Sequence, residues 1–233
     1  MNIDIRFTPN DFNAKEYGGY AAVVIDAFRA TTSIATACAN GCKRIIPVKT
    51  VEEALQIKNK YPEVFLAGER EGLLIPGFNL GNSPYEYTRE QIADKTLVMT
   101  TTNGTLALTK AASLPRVYVA AFVNAAAVTN ALRQQQENIV ILCAGSEGRF
   151  SLEDTLCAGL LAERLSSMSK LSDTALAAKG MYCDFKNDLL NRVSESSHAK
   201  YLSSIGFEQD IAYCLNHDTL SVVPIFAENS ITA

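Results

Sequence analysis

Short runs of β-branched and apolar residues alternate along most of this chain with segments that have helical periodicity. Seven such runs precede residue 146, among them AAVVIDA at 21–27 and NIVILCAG at 138–145. Several runs are apolar on consecutive positions, which is typical of strands that helices cover on both faces. The alternation predicts an α/β fold with three layers, α/β/α, around a largely parallel or mixed sheet.

The last third of the chain lacks this alternation and is predicted to be helical. Earlier helices are expected at 31–40, 51–61, 105–112, 124–136 and 151–168. Near the end, LSVVPIF at 220–226 is predicted as an edge strand, because Pro224 has no amide proton to offer at the centre of a sheet. We predict one domain over residues 1–233, with a possible division near residue 170.

Composition excludes several classes of partner. The chain has 233 residues, 48% of them hydrophobic, and a formal net charge of −4. An acidic chain is not expected to bind nucleic acid or an anionic membrane, since both need a basic face. No apolar run approaches the ~20 residues of a membrane span, and the segment 1–12 lacks the apolar core of a secretory leader. The six cysteines form no C-x-x-C pair, so we expect free thiols in a cytoplasmic protein.

Polar side chains follow five of the predicted strands. If the sheet is parallel, these strand ends share one edge, and open α/β sheets bind their ligands at that edge. The residues concerned are Asp26, Arg29 and Thr31; Glu69 and Arg70; Thr101, Thr102, Asn103 and Gly104; Asn124; and Gly145, Glu147, Glu153 and Asp154. This clustering predicts an active site more strongly than any single residue does.

The residue types at these ends indicate the ligand. Arginines such as Arg29 and Arg70 can pair with phosphate oxygens in a forked geometry. The segment TTTNGT at 100–105 offers hydroxyls and free amides at a helix start, which favours anions. Carboxylates beside an anion pocket are what Mg²⁺ needs, because it bridges a few acids to substrate oxygens. The pattern predicts metal-assisted phosphoryl chemistry on a small anionic organophosphate.

Several of these residues also have a purely structural interpretation. Asp26 and Arg29 can form a simple ion pair. Asp154 lies three residues after Ser151, which is the spacing of a capping box. The segment 100–105 can be a turn that caps a helix.

Other polar residues are given no role. We expect Glu71 and Arg149 to be solvated charges. His198 and His217 lie in the helical last third among polar neighbours, so we predict no catalytic part for either. The chain has no P-loop, no G-x-S-x-G elbow and no D-x-D phosphatase signature, although Asp26 as a nucleophile stays open.

Four long blocks resemble one known family. They are VVIDAFRATTSIATACANG, LAGEREGLLIPGFNLGNSPYEY, TTTNGTLAL and CAGSEGRFSLEDTLCAG, and together they resemble the 2-phosphosulfolactate phosphatase family. The resemblance implies Mg²⁺-dependent hydrolysis of (R)-2-phospho-3-sulfolactate to 3-sulfolactate and phosphate, a step toward coenzyme M. It also implies a layered α/β/α fold and a homodimer.

The residue pattern and the resemblance together give each group a hypothetical role. Asp26, with one or more of Glu69, Glu153 and Asp154, would hold Mg²⁺. The metal would neutralise phosphate oxygens and activate a water for attack. Arg29 and Arg70 would stabilise the charge on the phosphoryl group.

The remaining candidates would bind substrate or assist at the phosphate. Arg70 and Asn103 are placed with the catalytic residues. Substrate contacts are assigned to Thr31, Thr101, Thr102, Gly104, Gly145 and Glu147. In the loop 76–84 they are assigned to Asn79, Asn82 and Ser83, although this loop can equally be a rigid connection.

Two further questions stay open at the level of sequence. The substrate can be another small phosphorylated 2-hydroxy acid, or the chain can be a non-catalytic protein that binds such an anion. The attacking group can be a water or a carboxylate.

Overall fold

The structure, a computed structural model, describes residues 1–233. The strands are β1 Asn2–Arg6, β2 Ala21–Ile25, β3 Arg44–Pro47, β4 Phe65–Arg70, β5 Leu73–Leu74, β6 Thr96–Thr100, β7 Val117–Ala120, β8 Ile139–Cys143, β9 Lys170–Leu171, β10 Ile225–Ala227 and β11 Ser230–Thr232. The helices are α1 Ala30–Ala39, α2 Val51–Lys60, α3 Arg89–Ile92, α4 Gly104–Ala111, α5 Ala125–Gln135, α6 Leu152–Leu165, α7 Asp173–Phe185, α8 Leu189–Ser194, α9 Ser197–Ser204 and α10 Glu208–Leu215. The predicted mixed α/β architecture with a helical last third is confirmed.

One sheet contains all eleven strands, in the order β5-β4-β6-β3-β11-β10-β7-β2-β8-β1-β9. Strands β1, β2, β7 and β8 are parallel to one another, and so are β3, β4 and β6. The hairpin of β10 and β11 joins the two sets through antiparallel pairings with β7 and β3. Three antiparallel pairings thus link the two parallel sets, which makes the sheet mixed, one of the two arrangements predicted.

The hairpin also corrects the prediction of an edge strand at 220–226. Strand β10 lies inside the sheet, between β7 and β11. It begins after Pro224, whose carbonyl accepts a hydrogen bond from the Val119 amide at 2.9 Å. A proline tolerates this position because only its carbonyl oxygen is needed there.

Alternate residues of the buried strands pack on opposite faces of the sheet. In β2, Val23 and Ile25 belong to a core that includes residues of α5, α6 and α7. Ala22 and Val24 belong to a second core that includes residues of α1 and α4. All five residues of β2 are buried, as the apolar run predicts for a strand between two helical layers. No helix is long and apolar enough to cross a membrane.

Helices α6 and α7 pack closely at Gly159. A Cβ atom on Gly159 would lie 2.2 Å from the carbonyl oxygen of Ala178 in α7. We expect Gly159→Ala to lower the free energy of unfolding by about 1–3 kcal/mol, because backbone must move to admit the methyl group. Urea unfolding followed by circular dichroism measures this change.

Gly180 provides the matched control, since it lies in the same helix pair and a Cβ atom added to it would have no atom within 4 Å. Gly180→Ala is expected to raise stability by about 0.5–1 kcal/mol through helix propensity. An equal effect of the two substitutions would show that the contact of α6 with α7 is not tight at Gly159.

Candidate active site

A polar cavity of about 360 Å³ opens where the loops after β2, β4, β6 and β8 meet. The loops after β6 and β8 are joined by a hydrogen bond from the Glu147 amide to Asn103 Oδ1 at 3.1 Å. We call this polar cavity the main cavity because eight of the predicted site residues line it: Asp26, Arg29, Glu69, Arg70, Asn82, Thr102, Asn103 and Glu147. The structure thus brings together strand ends from both parallel sets.

Asp26 is a buried carboxylate at the end of β2. Its Oδ1 accepts a weak hydrogen bond from the Ala30 amide at 3.4 Å, at the start of α1. The Thr31 hydroxyl donates to the Asp26 carbonyl at 2.9 Å and accepts from the Asp26 amide at 3.0 Å. Burial and the nearby charge of Glu69 raise the pKa of Asp26 to about 8. The carboxylate is therefore costly to keep charged without a cation beside it.

Helix α4 begins directly against Asp26. A Cβ atom on Gly104, the first residue of α4, would lie 2.9 Å from Asp26 Oδ2 and 2.9 Å from the Ala30 Cβ. Only glycine allows the helix start to approach the carboxylate this closely. Within the first turn, Thr101 Oγ1 accepts from the Thr105 amide at 3.3 Å, so this hydroxyl caps the helix and does not line the main cavity.

Glu69 is held by two backbone amides at the end of β4. Its Oε2 accepts from the Gly72 amide and its Oε1 from the Thr102 amide, both at 2.8 Å. The side chain is buried, yet it lines the main cavity. The Thr102 amide, which we predicted to bind phosphate, is thus already used to orient Glu69.

Arg29 is a buried guanidinium anchored on several sides. Its Nη1 donates to Asp210 Oδ2 at 2.7 Å, and its Nη2 donates to the Gly72 carbonyl. The Phe207 ring lies against the guanidinium, with Cζ 4.1 Å from the ring centroid. The remaining N–H groups of Arg29 are the ones available to a ligand in the cavity. Arg29 pairs with Asp210, and no ion pair joins it to Asp26.

Asp210 was not predicted from the sequence. It is buried in α10, and its second oxygen accepts a hydrogen bond from the Ser83 hydroxyl at 2.8 Å. Ser83 therefore orients the partner of Arg29 and does not itself line the main cavity. No local pattern marks Asp210, because its partner Arg29 is 181 residues away in the chain.

Arg70 and Asn82 complete the polar lining. Arg70 donates from Nη2 to Thr100 Oγ1 at 2.9 Å and from Nη1 to the Glu69 carbonyl at 2.7 Å. Asn82 is 5% exposed, and its Oδ1 is buried without a hydrogen-bond partner. A buried amide with an unmet polar atom beside a cavity is the arrangement expected of a ligand contact.

Asp154 at the start of α6 faces other protein groups, whereas Glu153 and His198 both line a neighbouring cavity of about 500 Å³. Asp154 accepts from the Ala27 amide at 2.8 Å and the Gly145 amide at 3.0 Å, and neither Asp154 nor Gly145 lines the main cavity. Its amide bonds to Ser151 Oγ, as the predicted cap requires, but its carboxylate is turned to other loops. Burial and the charge of Asp26 raise the pKa of Asp154 well above its usual range. Glu153 is paired with His198 at 2.6 Å.

Three further residues that were predicted at the site make structural contacts away from the main cavity. Thr31 binds the backbone of Asp26, as described above. Asn79 accepts the Leu66 amide at 2.8 Å and so extends the end of β4. Asn124, at the end of β7, bonds to the Ala121 amide at 2.8 Å and to the Val119 carbonyl at 3.2 Å. Short polar side chains satisfy backbone groups at element ends, and this use is not visible in the sequence alone.

His198 lines the main cavity, although its sequence context predicts no catalytic part for it. It lies in α9, a segment whose sequence contains no recognisable motif. Its position depends on packing of the C-terminal helices over the strand ends, so no local signal identifies it. His217, in contrast, contacts Tyr182 and Phe122 and lies outside the main cavity.

The charged residues that line the main cavity decide whether it can hold a metal ion. Its lining includes four carboxylates and two guanidinium groups, one of which is already neutralised by Asp210. The four predicted ligands are not assembled, since no group of three or more acidic, histidine or cysteine side chains is placed to hold a metal. Two carboxylates, Asp26 and Glu69, do line the cavity, and Mg²⁺ commonly uses one or two together with waters and substrate phosphate. Asp26 and Glu69 therefore fit a Mg²⁺ ion, because a cavity lined by carboxylates needs a cation before it can accept an anionic ligand.

The fold and cavity define an α/β protein with a polar site that carboxylates and guanidinium groups line together. A family model described as 2-phosphosulpholactate phosphatase matches residues 6–229. A probable 2-phosphosulfolactate phosphatase from Thermotoga maritima is 47% identical over 203 residues, which is 87% of each chain. Proteins of the same name from Symbiobacterium thermophilum and Clostridium beijerinckii are 39% and 38% identical, covering 94% and 100% of this chain and 96% and 99% of their own. The chain belongs to the 2-phosphosulfolactate phosphatase family, which confirms the resemblance of the four blocks.

Proposed function

We propose that this chain is a Mg²⁺-dependent phosphatase that hydrolyses (R)-2-phospho-3-sulfolactate to 3-sulfolactate and phosphate. One observation carries the proposal: the carboxylates of Asp26 and Glu69 line the same cavity as the guanidinium groups of Arg29 and Arg70, in a chain of this family. The names of the relatives support the phosphatase class and the sulfonated substrate.

The proposed metal ligands are Asp26 and Glu69. When bound, Mg²⁺ would neutralise phosphate oxygens and lower the pKa of a coordinated water. Two backbone amides fix Glu69, and the start of α4 presses against Asp26, so both carboxylates are oriented before a ligand arrives. Such preorganisation avoids a reorganisation cost during the reaction.

The other cavity residues bind and orient the substrate. Arg29 donates its uncommitted N–H groups to the phosphoryl oxygens, while Asp210 and Phe207 hold the guanidinium in place. Arg70 and the Nδ2 amide group of Asn82 are donors available to the carboxylate or sulfonate of the substrate. A substrate with three anionic groups is suited to a site that combines a metal with two arginines.

The substrate assignment is tested by phosphate release from 2-phosphosulfolactate, phospholactate and p-nitrophenyl phosphate. We expect turnover in Mg²⁺ that strongly favours the sulfonated ester. Comparable rates on all three would support a general phosphatase of small phosphorylated 2-hydroxy acids and contradict the sulfolactate assignment. Tight binding without any release would indicate a binding protein.

The family resemblance extends the proposal to a homodimer, a cytoplasmic location and a step of coenzyme M biosynthesis. The six cysteines are all free in the structure, which agrees with a reducing compartment. Light scattering of the purified protein tests the dimer: a mass near twice 25.3 kDa is expected, and a mass near 25.3 kDa would contradict it.

A further inference from the structure

His198 lines the main cavity, and one of its ring nitrogens makes no hydrogen bond within the protein. Its Nδ1 is 2.6 Å from Glu153 Oε1, and the Glu153 side chain is only 2% exposed. His198 itself is 23% exposed and lines the cavity together with Asp26 and Arg29. Because Nδ1 is committed to Glu153, Nε2 is the nitrogen that can meet a ligand.

The groups around His198 favour its charged form. Burial lowers its pKa, but the hydrogen bond and the charge of Glu153 outweigh burial and the opposing charge of Arg29. The net effect raises the pKa of His198. The ring of Phe28 also lies beside the imidazole, with 6.0 Å between the two ring centroids. Phe28 has no titratable group.

We propose that His198 is a catalytic residue, the general acid that protonates the leaving oxygen of the substrate, and that Glu153 is the residue that positions it. This inference rests on the proposed function. The leaving group of a phosphorylated 2-hydroxy acid is an alkoxide, which departs poorly unless it receives a proton.

The proton balance of the step is complete. Water adds to phosphorus while the bond between phosphorus and the C2 oxygen breaks, and the electron pair stays on that oxygen. Nε2 of the imidazolium gives its proton to the oxygen, which becomes the hydroxyl of 3-sulfolactate. The proton released from the attacking water, carried first on phosphate, returns the imidazole to its charged form.

Other cavity groups are poorly suited to this task. Arg29 and Arg70 do not give up protons near neutral pH. The carboxylates of Asp26 and Glu69 are assigned to the metal. Glu147 is exposed, and no residue fixes its carboxylate as Glu153 fixes the imidazole. His198 is the one imidazole of the cavity, and a buried acid holds it in a single orientation.

The test compares the natural ester with an analogue in which sulfur replaces the bridging oxygen, because a thiolate leaves without a proton. In His198→Asn the amide nitrogen can still donate to Glu153, but the nitrogen at the position of Nε2 is lost. We expect kcat for the oxygen ester to fall by about 10²–10⁴-fold and kcat for the sulfur analogue to change little. An equal loss on both substrates would overturn the proposal.

Two further variants separate proton transfer from simple contact. His198→Gln places an amide where Nε2 lay, so it can donate a hydrogen bond but cannot transfer a proton. We expect it to be as impaired on the oxygen ester as His198→Asn, and wild-type activity would overturn the proposal. Glu153→Gln keeps an acceptor for Nδ1 but removes the charge, and we expect a smaller loss that is again specific to the oxygen ester.

His217→Asn is the matched control, since this histidine lies outside the cavity. We expect it to retain activity on both substrates. Failure of the proposed function is distinguishable, because the wild type would then release no phosphate from either ester. A wild type that hydrolyses both, with variants that do not discriminate between them, would reject the role of His198 alone.

Discussion

Asp26→Asn is expected to lower kcat for 2-phosphosulfolactate by about 10³-fold, the loss typical of removing one charged group from a preorganised site. The carboxylate lines the cavity within reach of the charge of Glu69, and the start of α4 lies against it. The amide oxygen can still accept the bond from Ala30, and the neutral amide has no charged form that burial and Glu69 would disfavour. The variant should therefore fold at least as stably as the wild type. Phosphate release and urea unfolding measure the two effects separately.

Glu71→Gln is the matched control for this substitution. Glu71 lines the same cavity but is exposed, and only its backbone carbonyl is bonded, to the Tyr201 hydroxyl at 2.9 Å. We expect its removal to change kcat by less than about tenfold, since an exposed charge is well screened. An Asp26→Asn enzyme with wild-type turnover would contradict the central place of Asp26.

The second large effect concerns stability. Asp210→Leu is expected to lower the free energy of unfolding by about 3–5 kcal/mol, because it leaves the guanidinium of Arg29 buried without its carboxylate. Both side chains of this pair are nearly inaccessible, with 2% and 4% exposed. Urea denaturation gives the difference directly.

A double variant tests the cause of that loss. Arg29→Met combined with Asp210→Leu removes both charges, so we expect it to recover most of the lost stability while remaining inactive. Ser83→Ala, which removes only a hydroxyl bonded to Asp210, should cost about 1 kcal/mol. If Asp210→Leu cost no more than Ser83→Ala, or if the double variant equalled the sum of the single ones, burial of an unpaired charge would not be the reason.

Local signals account for the parts of the fold that the sequence predicts well. Runs of consecutive apolar residues identify strands such as β2 and β8, because both of their faces are buried. Ser151 caps α6 as its spacing from Asp154 predicts, accepting the Asp154 amide at 3.2 Å. The directions of the two parallel sets were not predictable, because they depend on where the late hairpin of β10 and β11 is inserted.

The site residues likewise divide into those that local sequence signals identify and those that only tertiary packing brings to the cavity. Asp26 and Glu69 directly follow or end buried strands, so their place at the cavity could be predicted from position alone. Arg29 was predicted at the cavity, but its partner Asp210 and the pair of Glu153 with His198 were not. Those contacts join residues 181 and 45 positions apart through the packing of α9 and α10, which no local pattern encodes. Asp154 and Thr31 lie away from the cavity lining, and their oxygens accept hydrogen bonds from backbone amides in the folded chain, which no local pattern shows.

The most direct test of the metal-dependent activity is the rate of phosphate release from 2-phosphosulfolactate by the wild-type protein in Mg²⁺, after EDTA, and after excess Mg²⁺ is restored. We predict rapid release in Mg²⁺, a loss of at least about 10²-fold in EDTA and full recovery when the metal returns. Release that is unaffected by EDTA would contradict the assignment of Asp26 and Glu69 to a metal. No release under any condition would contradict the proposed activity itself.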